Sequence, residues 1–314
     1  MKIAFTFPGQ GSQSVGMMAG FDAHPAVRAT FAEASELLAQ DLWALVTGGP
    51  EADLNQTVNT QPVMLTAGVA VWRAWVAAGG SLPAVVAGHS LGEYTALVAS
   101  GALAFHDALP LVRFRAQAMQ DAVPAGAGAM AAILGLDAAA VGAACAEAAA
   151  QSGAGQIVEP VNFNAPEQVV IAGHRAAVER AIEVATARGA KRGVLLPVSA
   201  PFHSSLLKPA ALRLAGKLAT VAVGAPAIPV LHNVDAQERA SPDAIRDALA
   251  QQAASPVRWV EIIQAFAARG VTHVVECGPG RVLTGLNKRI ARDLKSFALT
   301  DDTDIASTLA ALAG

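Results

Sequence analysis

Short, mostly apolar runs alternating with longer amphipathic stretches open the chain. KIAFTF (2–7) is the first run; helical patterns follow around Ala26 to Ala39 and from about Gln61 to Ala78, and then AVVAGHS (84–90) leads into another helix. Continuous apolar runs that alternate with helices predict a parallel sheet covered on both faces. Between about Gly126 and Ala200 the rhythm changes. AMAAIL (129–134) reads as strand, DAAAVGAACAEAAA (137–150) as a helix opened by Asp137, and IVEPVNF (157–163) as strand. Asn164 to Glu167 reads as a turn, QVVIAG (168–173) as strand, RAAVERAIEVATARG (175–189) as a helix with Val178, Ile182 and Ala185 on one side, and KRGVLLPVSA (191–200) as strand. This order, β-α-β-β-α-β, predicts a ferredoxin-like unit. Beyond it VLHNV (230–234), THVVECG (272–278) and FALT (297–300) resume the first pattern. The expected fold is therefore α/β: residues 1–125 and 201–314 form a large subdomain with a parallel sheet, and residues 126–200 form a small one inserted into it.

Composition narrows the setting more than the fold. The chain of 314 residues is 53% hydrophobic and 15% charged, and its mean hydropathy of +0.41 raises the question of a membrane. Its apolar stretch at 122–136 is short and broken by Pro124, Gly126 and Gly128, too little to span a bilayer. The opening MKIAFTFPGQGSQ runs into a Gly-rich turn and lacks the features of a secretory signal, so the cytoplasm is expected. A net charge of −3 gives no reason to expect nucleic acid. The two cysteines, Cys145 and Cys277, form no C-x-x-C pattern and read as small buried filler. No HExxH or paired Cys and His spacing indicates a metal.

One junction in the pattern carries chemistry. Gly88-His89-Ser90-Leu91-Gly92 lies where a strand gives way to a helix. So sharp a turn holds its central residue in a strained backbone conformation, and glycine two places either side leaves room for it. The turn lifts the Ser90 hydroxyl clear of the sheet, as a nucleophile requires once a base and oxyanion donors are within reach. A tight turn with a helix-capping serine has the same pattern. Among seven histidines, His203 follows VLLPVS and a proline in SAPFHSSLL, at a strand end on the edge where Ser90 would emerge. His89 adjoins Ser90, and a neighbour in sequence points elsewhere. FPGQGSQ (7–13) directly follows the first strand and fits an oxyanion loop, an ordinary β-α turn or a phosphate loop, although G-x-G-x-x-G and a GK[ST] ending are both missing. Arg113 and Arg115 interrupt the otherwise apolar helix HDALPLVRFRAQAMQ. Each fits a solvated surface charge; turned toward the serine, an arginine would hold a carboxylate through two parallel hydrogen bonds.

Taken in order, FPGQGSQ, TQPVMLTA, GHSLGEYTALV, MQDAVP with GAMAAILGL, PVNFNAPEQVVIAGH, GAKRGVLLPVSAPFHSSLLKPAA, HNVDA, DAIRDAL and ECGPGRVLTGLNKRI resemble one family along nearly the whole chain. That family is the malonyl-CoA:acyl carrier protein transacylases of bacterial fatty acid synthesis. The resemblance implies an α/β-hydrolase-like large subdomain with an inserted ferredoxin-like one. It implies Ser90 as the acylated nucleophile, His203 as its base, and the backbone N–H groups of Gln10 and Leu91 as the oxyanion hole. Arg115, rather than Arg113, takes the place of the clamp on the malonyl carboxylate. Gln252 matches the family glutamine near the histidine, so a neutral amide or a backbone carbonyl, not an acid, is expected to orient His203; Gln251 beside it is the alternative register. Gln10, His89, Arg115 and Phe202 would surround the substrate, with the Phe202 ring excluding a branched acyl group.

The reaction implied is ping-pong transfer of malonyl from malonyl-CoA through Ser90 to the phosphopantetheine thiol of acyl carrier protein. It uses no metal or cofactor of the chain's own. Carrier proteins of this kind are acidic, so Lys288 and Arg289 are expected to form a local basic docking rim. The transacylase of a malonate decarboxylase and a trans-acting polyketide acyltransferase share these motifs. A serine hydrolase or thioesterase would use the same elbow with water as acceptor; the lack of a motif-placed acid and the presence of Arg115 oppose it. A non-catalytic binding module would have no use for the whole set.

Overall fold

The structure, a computed structural model, describes residues 1–313. Among these the strands, in chain order, are β1 (Ile3–Phe7), β2 (Val85–Gly88), β3 (Gly128–Leu134), β4 (Val158–Ala165), β5 (Gln168–His174), β6 (Arg192–Leu195), β7 (Val230–Leu231), β8 (His273–Cys277) and β9 (Lys295–Leu299). They form a five-stranded sheet in the order β7-β2-β1-β8-β9, all parallel, and a four-stranded antiparallel sheet in the order β4-β5-β3-β6.

Every residue of β1 and β8 is buried, so neither strand shows the in-and-out alternation of a half-exposed one: helices cover both faces, and the polar Thr6, His273 and Glu276 are buried with the rest. The helix Thr57–Ala77 is buried almost all round, as befits a central helix of an α/β layer. Its Trp72 and Trp75 meet Phe5 of β1 edge-on, with ring centroids 5.5 and 5.3 Å apart. In the antiparallel sheet, β3 lies between β5 and β6, pairing from Gly128↔His174 to Leu134↔Gln168 on one side and over residues 131–134 on the other. The helices Ala138–Gln151 and Arg175–Ala187 bury Val141, Ala144 and Cys145 with Val178, Ala181 and Ala185 over Ile133 and Ile171 of the sheet. Asp137 caps the first of these helices, its Oδ1 accepting from the Ala140 N–H at 2.8 Å. Both cysteines are free and buried, and burial pushes the Cys145 thiol up to about 12, so it is an inert packing residue.

Four stretches differ from the sequence expectation. The central helix starts at Thr57, a turn before Gln61, because Pro62 sits inside the helix instead of opening it. β4 continues through Ala165, with irregular register at Pro160/Asn162 and Phe163/Ala165, so the turn expected at Asn164 shrinks to Pro166 and Glu167. β6 ends at Leu195; the Leu196 N–H still donates to Met130 O at 2.9 Å, but Pro197 has no proton to give the ladder. β7 is only Val230–Leu231, since the polar groups of His232 and Asn233 are engaged elsewhere, as described below. No helix among the described residues is long and apolar enough to cross a membrane.

The parallel sheet determines where chemistry is possible. β1 and β2 run side by side, with Phe7 opposite Gly88, so the loops after their carboxyl ends, which begin at Pro8 and His89, emerge together. The segment after β7 emerges on the other side of β2. Ligands of open α/β sheets bind in the crevice outside these carboxyl ends.

Candidate active site

Ser90 has φ +51°, in the left-handed region that non-glycine residues avoid. The glycines beside it make that turn possible. A methyl at Gly88 would come within 1.9 Å of the Gly92 backbone, and one at Gly92 within 2.0 Å of the Phe7 carbonyl oxygen. Asn233 holds the elbow from the next strand over: its Oδ1 accepts from the Ser90 N–H at 2.7 Å, and its Nδ2 donates to Gly88 O at 2.7 Å. Strain stored at such a turn persists because the surroundings over-determine it.

His203 also has a positive φ, +66°, and is 3% exposed. Its Nε2 lies 2.7 Å from Ser90 Oγ, and its Nδ1 lies 2.9 Å from the backbone carbonyl of Gln252. A carbonyl only accepts, so Nδ1 carries the proton and the Nε2 lone pair faces the serine hydroxyl. Burial, followed by the positive charge of Arg115, pulls the imidazole down to about 3, so at neutral pH it is an unprotonated acceptor. The orienting group is thus the Gln252 main chain. The Gln252 side chain turns the other way, Nε2 donating to Ser90 O and to Glu93 and Oε1 accepting from Arg115. The neighbouring Gln251 is exposed, and of the two it is Gln252 that lies at the site.

Arg115 is 1% exposed. One guanidinium nitrogen donates to Gln61 Oε1 at 2.8 Å; the other reaches Gln252 Oε1 at 2.9 Å and Ser90 Oγ at 3.1 Å. Its plane lies over the Tyr94 ring, 5.4 Å from the centroid. Burial lowers its proton affinity, but a guanidinium begins so high that it stays charged. Arg113, two residues earlier, faces away, to Leu38 O and Gln40.

Gln10, Gln61, His89, Ser90, Leu91, Arg115 and His203 line one cavity, closed on its apolar side by Met119, Met130, Leu196, Val198 and Phe202. Met130 and Leu196 come from the antiparallel sheet and its exit, so both sheets contribute walls. The cavity holds about 100 Å³, well short of the ~300–1,000 Å³ that encloses a drug-sized ligand; an acyl group of a few heavy atoms is the scale that fits. The backbone N–H groups of Gln10 and Leu91 face no acceptor among the described residues. His89 is kept off the serine by Asn164, whose Oδ1 is 2.8 Å from its Nε2, and burial lowers its proton affinity. Lys288 and Arg289 do not line the cavity; both are exposed at the end of the helix Val282–Ile290, where Arg289 donates to Gln168 Oε1 at 2.5 Å.

Sequence reasoning passed over Gln61, Glu93, Asn164, His232 and Asn233. His232 and Asn233 stand just past a strand at the sheet's carboxyl edge, a position that could have singled them out. Glu93 had a misleading signal: Ser90-x-x-Glu93 has the spacing of a capping box, yet the carboxylate turns to other segments.

The acyl transferase domain family matches residues 4–307. The chain is 54% identical over 309 residues to the malonyl CoA-acyl carrier protein transacylase of Escherichia coli K12, covering 98% of this chain and 99% of that protein. Among solved structures it is similar to an acyl-carrier-protein S-malonyltransferase from Burkholderia pseudomallei, with 60% identity, a TM-score of 0.96 and coverage of 99% of this chain and 100% of that one. It is also similar to a malonyl-transacylase solved in complex with a type II polyketide acyl carrier protein, with 50% identity, a TM-score of 0.96 and the same coverage.

Proposed function

Because the chain belongs to the acyl transferase family, we infer that it transfers the malonyl group from malonyl-CoA to the phosphopantetheine thiol of acyl carrier protein, supplying fatty acid synthesis. The observation that carries this reading is the convergence on Ser90 Oγ of His203 Nε2 at 2.7 Å and a buried Arg115 nitrogen at 3.1 Å. A hydrolase of simple esters needs the first; only an enzyme for an acyl group with a distal negative charge has use for the second.

In this reading the Ser90 proton passes to His203 Nε2 as Oγ attacks the thioester carbonyl, while Arg115 holds the far carboxylate. The amides of Gln10 and Leu91 receive the oxyanion. The C–S bond then breaks, His203 returns the proton to the CoA sulfur, and malonyl remains on Ser90. The carrier's thiol gives its proton to His203, its sulfur attacks the ester, and Ser90 leaves with that proton. The step needs no metal or cofactor on this chain, and two free, buried cysteines are compatible with the cytoplasm as its setting.

Incubation with malonyl-CoA followed by digestion tests the reading. Malonyl appears on the Ser90 peptide and is discharged faster by acyl carrier protein than by buffer. A label elsewhere, or equal discharge by buffer, defeats it. Comparing fatty acid and polyketide carrier proteins as acceptors distinguishes the two pathways.

The state of His203 gives a pH prediction. Its folded value of about 3 lies below the ordinary 6.5, so kcat/KM for malonyl-CoA shows no acid break near pH 6.5 and stays level down to about pH 5. The sign for stability is opposite to that of a salt-bridged histidine. Between pH 6.5 and 3 the unfolded chain binds the proton that the folded one refuses, so stability present above 6.5 is lost as the pH falls through this window. A break in kcat/KM at 6.5 would show His203 to be solvated.

Phe202 sets a second limit. Its ring is 7% exposed and lines the acyl cavity, so methylmalonyl-CoA is a poor substrate. Phe202→Ala narrows the preference for malonyl by roughly 10- to 200-fold, the range that a methyl-sized difference in an apolar pocket covers. Competition between the two thioesters measures it, and an unchanged ratio refutes it.

A further inference from the structure

Glu93 lies in the first turn of the helix Gly92–Ala99 and has no exposed surface. Its side chain accepts from three donors on two other segments. His232 Nδ1 lies 2.7 Å from Oε1, and Oε2 receives the Asn233 backbone N–H at 2.9 Å and Gln252 Nε2 at 2.8 Å. Burying a carboxylate is costly even when it is paired, and this one lies three residues from the reacting serine.

Gln252 connects it to the chemistry. A carboxylate cannot donate, so the Gln252 NH₂ must face Glu93, and the same nitrogen is held by Ser90 O at 2.9 Å. Only Oε1 is then left to point at Arg115, which donates to it at 2.9 Å. Arg115 is therefore aimed by an amide whose orientation Glu93 fixes together with the Ser90 carbonyl. Its charge is also balanced one amide away rather than by direct contact. A direct Glu–Arg pair would occupy the guanidinium donors that a substrate carboxylate must use.

We propose that Glu93 is a positioning residue for acyl selectivity: by locking the Gln252 amide it holds Arg115 toward the acyl cavity and balances its charge while leaving its outward donors free. This rests on the reading above, in which Ser90 carries the acyl group and Arg115 meets its carboxylate.

The test loads wild type, Glu93→Gln, Gln252→Ala and the double variant from an equimolar mixture of malonyl-CoA and acetyl-CoA, and measures the early malonyl-to-acetyl ratio on the Ser90 peptide by mass spectrometry. Both groups compete for the same folded molecules, so the ratio does not depend on how much protein has unfolded. Glu93→Gln lowers the ratio at least about tenfold, Gln252→Ala lowers it by a similar factor, and the double variant goes no lower, as expected for residues acting in series. An unchanged ratio in Glu93→Gln, or a double variant showing the product of the two losses, overturns the proposal. If Glu93→Gln gives no folded protein, Glu93→Asp decides: its displaced carboxylate lowers the ratio, whereas a wild-type ratio overturns the proposal. Wild type that takes no malonyl on Ser90 defeats instead the reading of the reaction on which the proposal stands.

Discussion

Ser90→Ala loses malonyl loading altogether and lowers transfer to carrier protein by at least about 10,000-fold, because nucleophile and base act as a unit and removing either removes nearly the whole rate. The geometry leaves no substitute. The hydroxyl stands at φ +51° with His203 Nε2 2.7 Å away, while Ser204, the hydroxyl next to His203, is committed to Pro201 O at 2.7 Å. His89 is held by Asn164. For the same reason His203→Ala costs a similar factor, and Ser90→Ala/His203→Ala is no worse than either alone. The fold survives the loss of one hydroxyl: the elbow is held by the Ser90 N–H on Asn233 and by the Gly88 and Gly92 packing, none of which involves Oγ. Circular dichroism checks that point, and intact-mass measurement after malonyl-CoA checks the chemistry. Covalent malonyl on Ser90→Ala would place the nucleophile elsewhere.

The parts of this site that were legible in the sequence are those whose chemistry is enforced locally. Gly88 and Gly92 are spaced by the steric needs of one turn, so Ser90 announces itself from five adjacent letters. The alternation of apolar runs and helices likewise conveys a parallel sheet, since a strand buried on both faces is mostly apolar and shows no period-two alternation. What was hidden is what the fold brings together from afar. Gln252 is 162 residues from Ser90 and Asn233 is 143 away, and no period or motif connects them. Gln252 was identified by resemblance, and its division of labour, main chain to His203 and side chain to Arg115, is visible only in three dimensions. Glu93 was in plain view inside GHSLGE but followed the local rule for a helix cap, and the tertiary partners His232 and Gln252 overrode it. Pro62 and Pro197 show the same limit in the fold: a proline tells where one backbone donor is missing, not whether the element starts, continues or ends there.

Arg115→Ala separates recognition from chemistry. Removing one partner of a buried, hydrogen-bonded charge pair costs about 2–5 kcal/mol, so malonyl loading falls by roughly 30- to several-thousand-fold. Acetyl-CoA has no carboxylate to lose, and in wild type its methyl must lie against a buried guanidinium left with an unmatched donor. The variant relieves that mismatch, so acetyl loading rises while malonyl loading falls. His203 should respond as well, because the Arg115 charge is the second cause of its depressed proton affinity after burial; the acid limit of acetyl loading moves up from that of wild type without reaching 6.5, since burial remains. Arg115→Lys keeps a charge but cannot span Gln61, Gln252 and a carboxylate together with a single ammonium, and falls between the two. Rapid-quench loading with each thioester measures all of this. Equal losses for malonyl and acetyl would make Arg115 a support for Ser90 rather than a grip on the substrate. Unchanged malonyl loading would remove the distal carboxylate from this cavity.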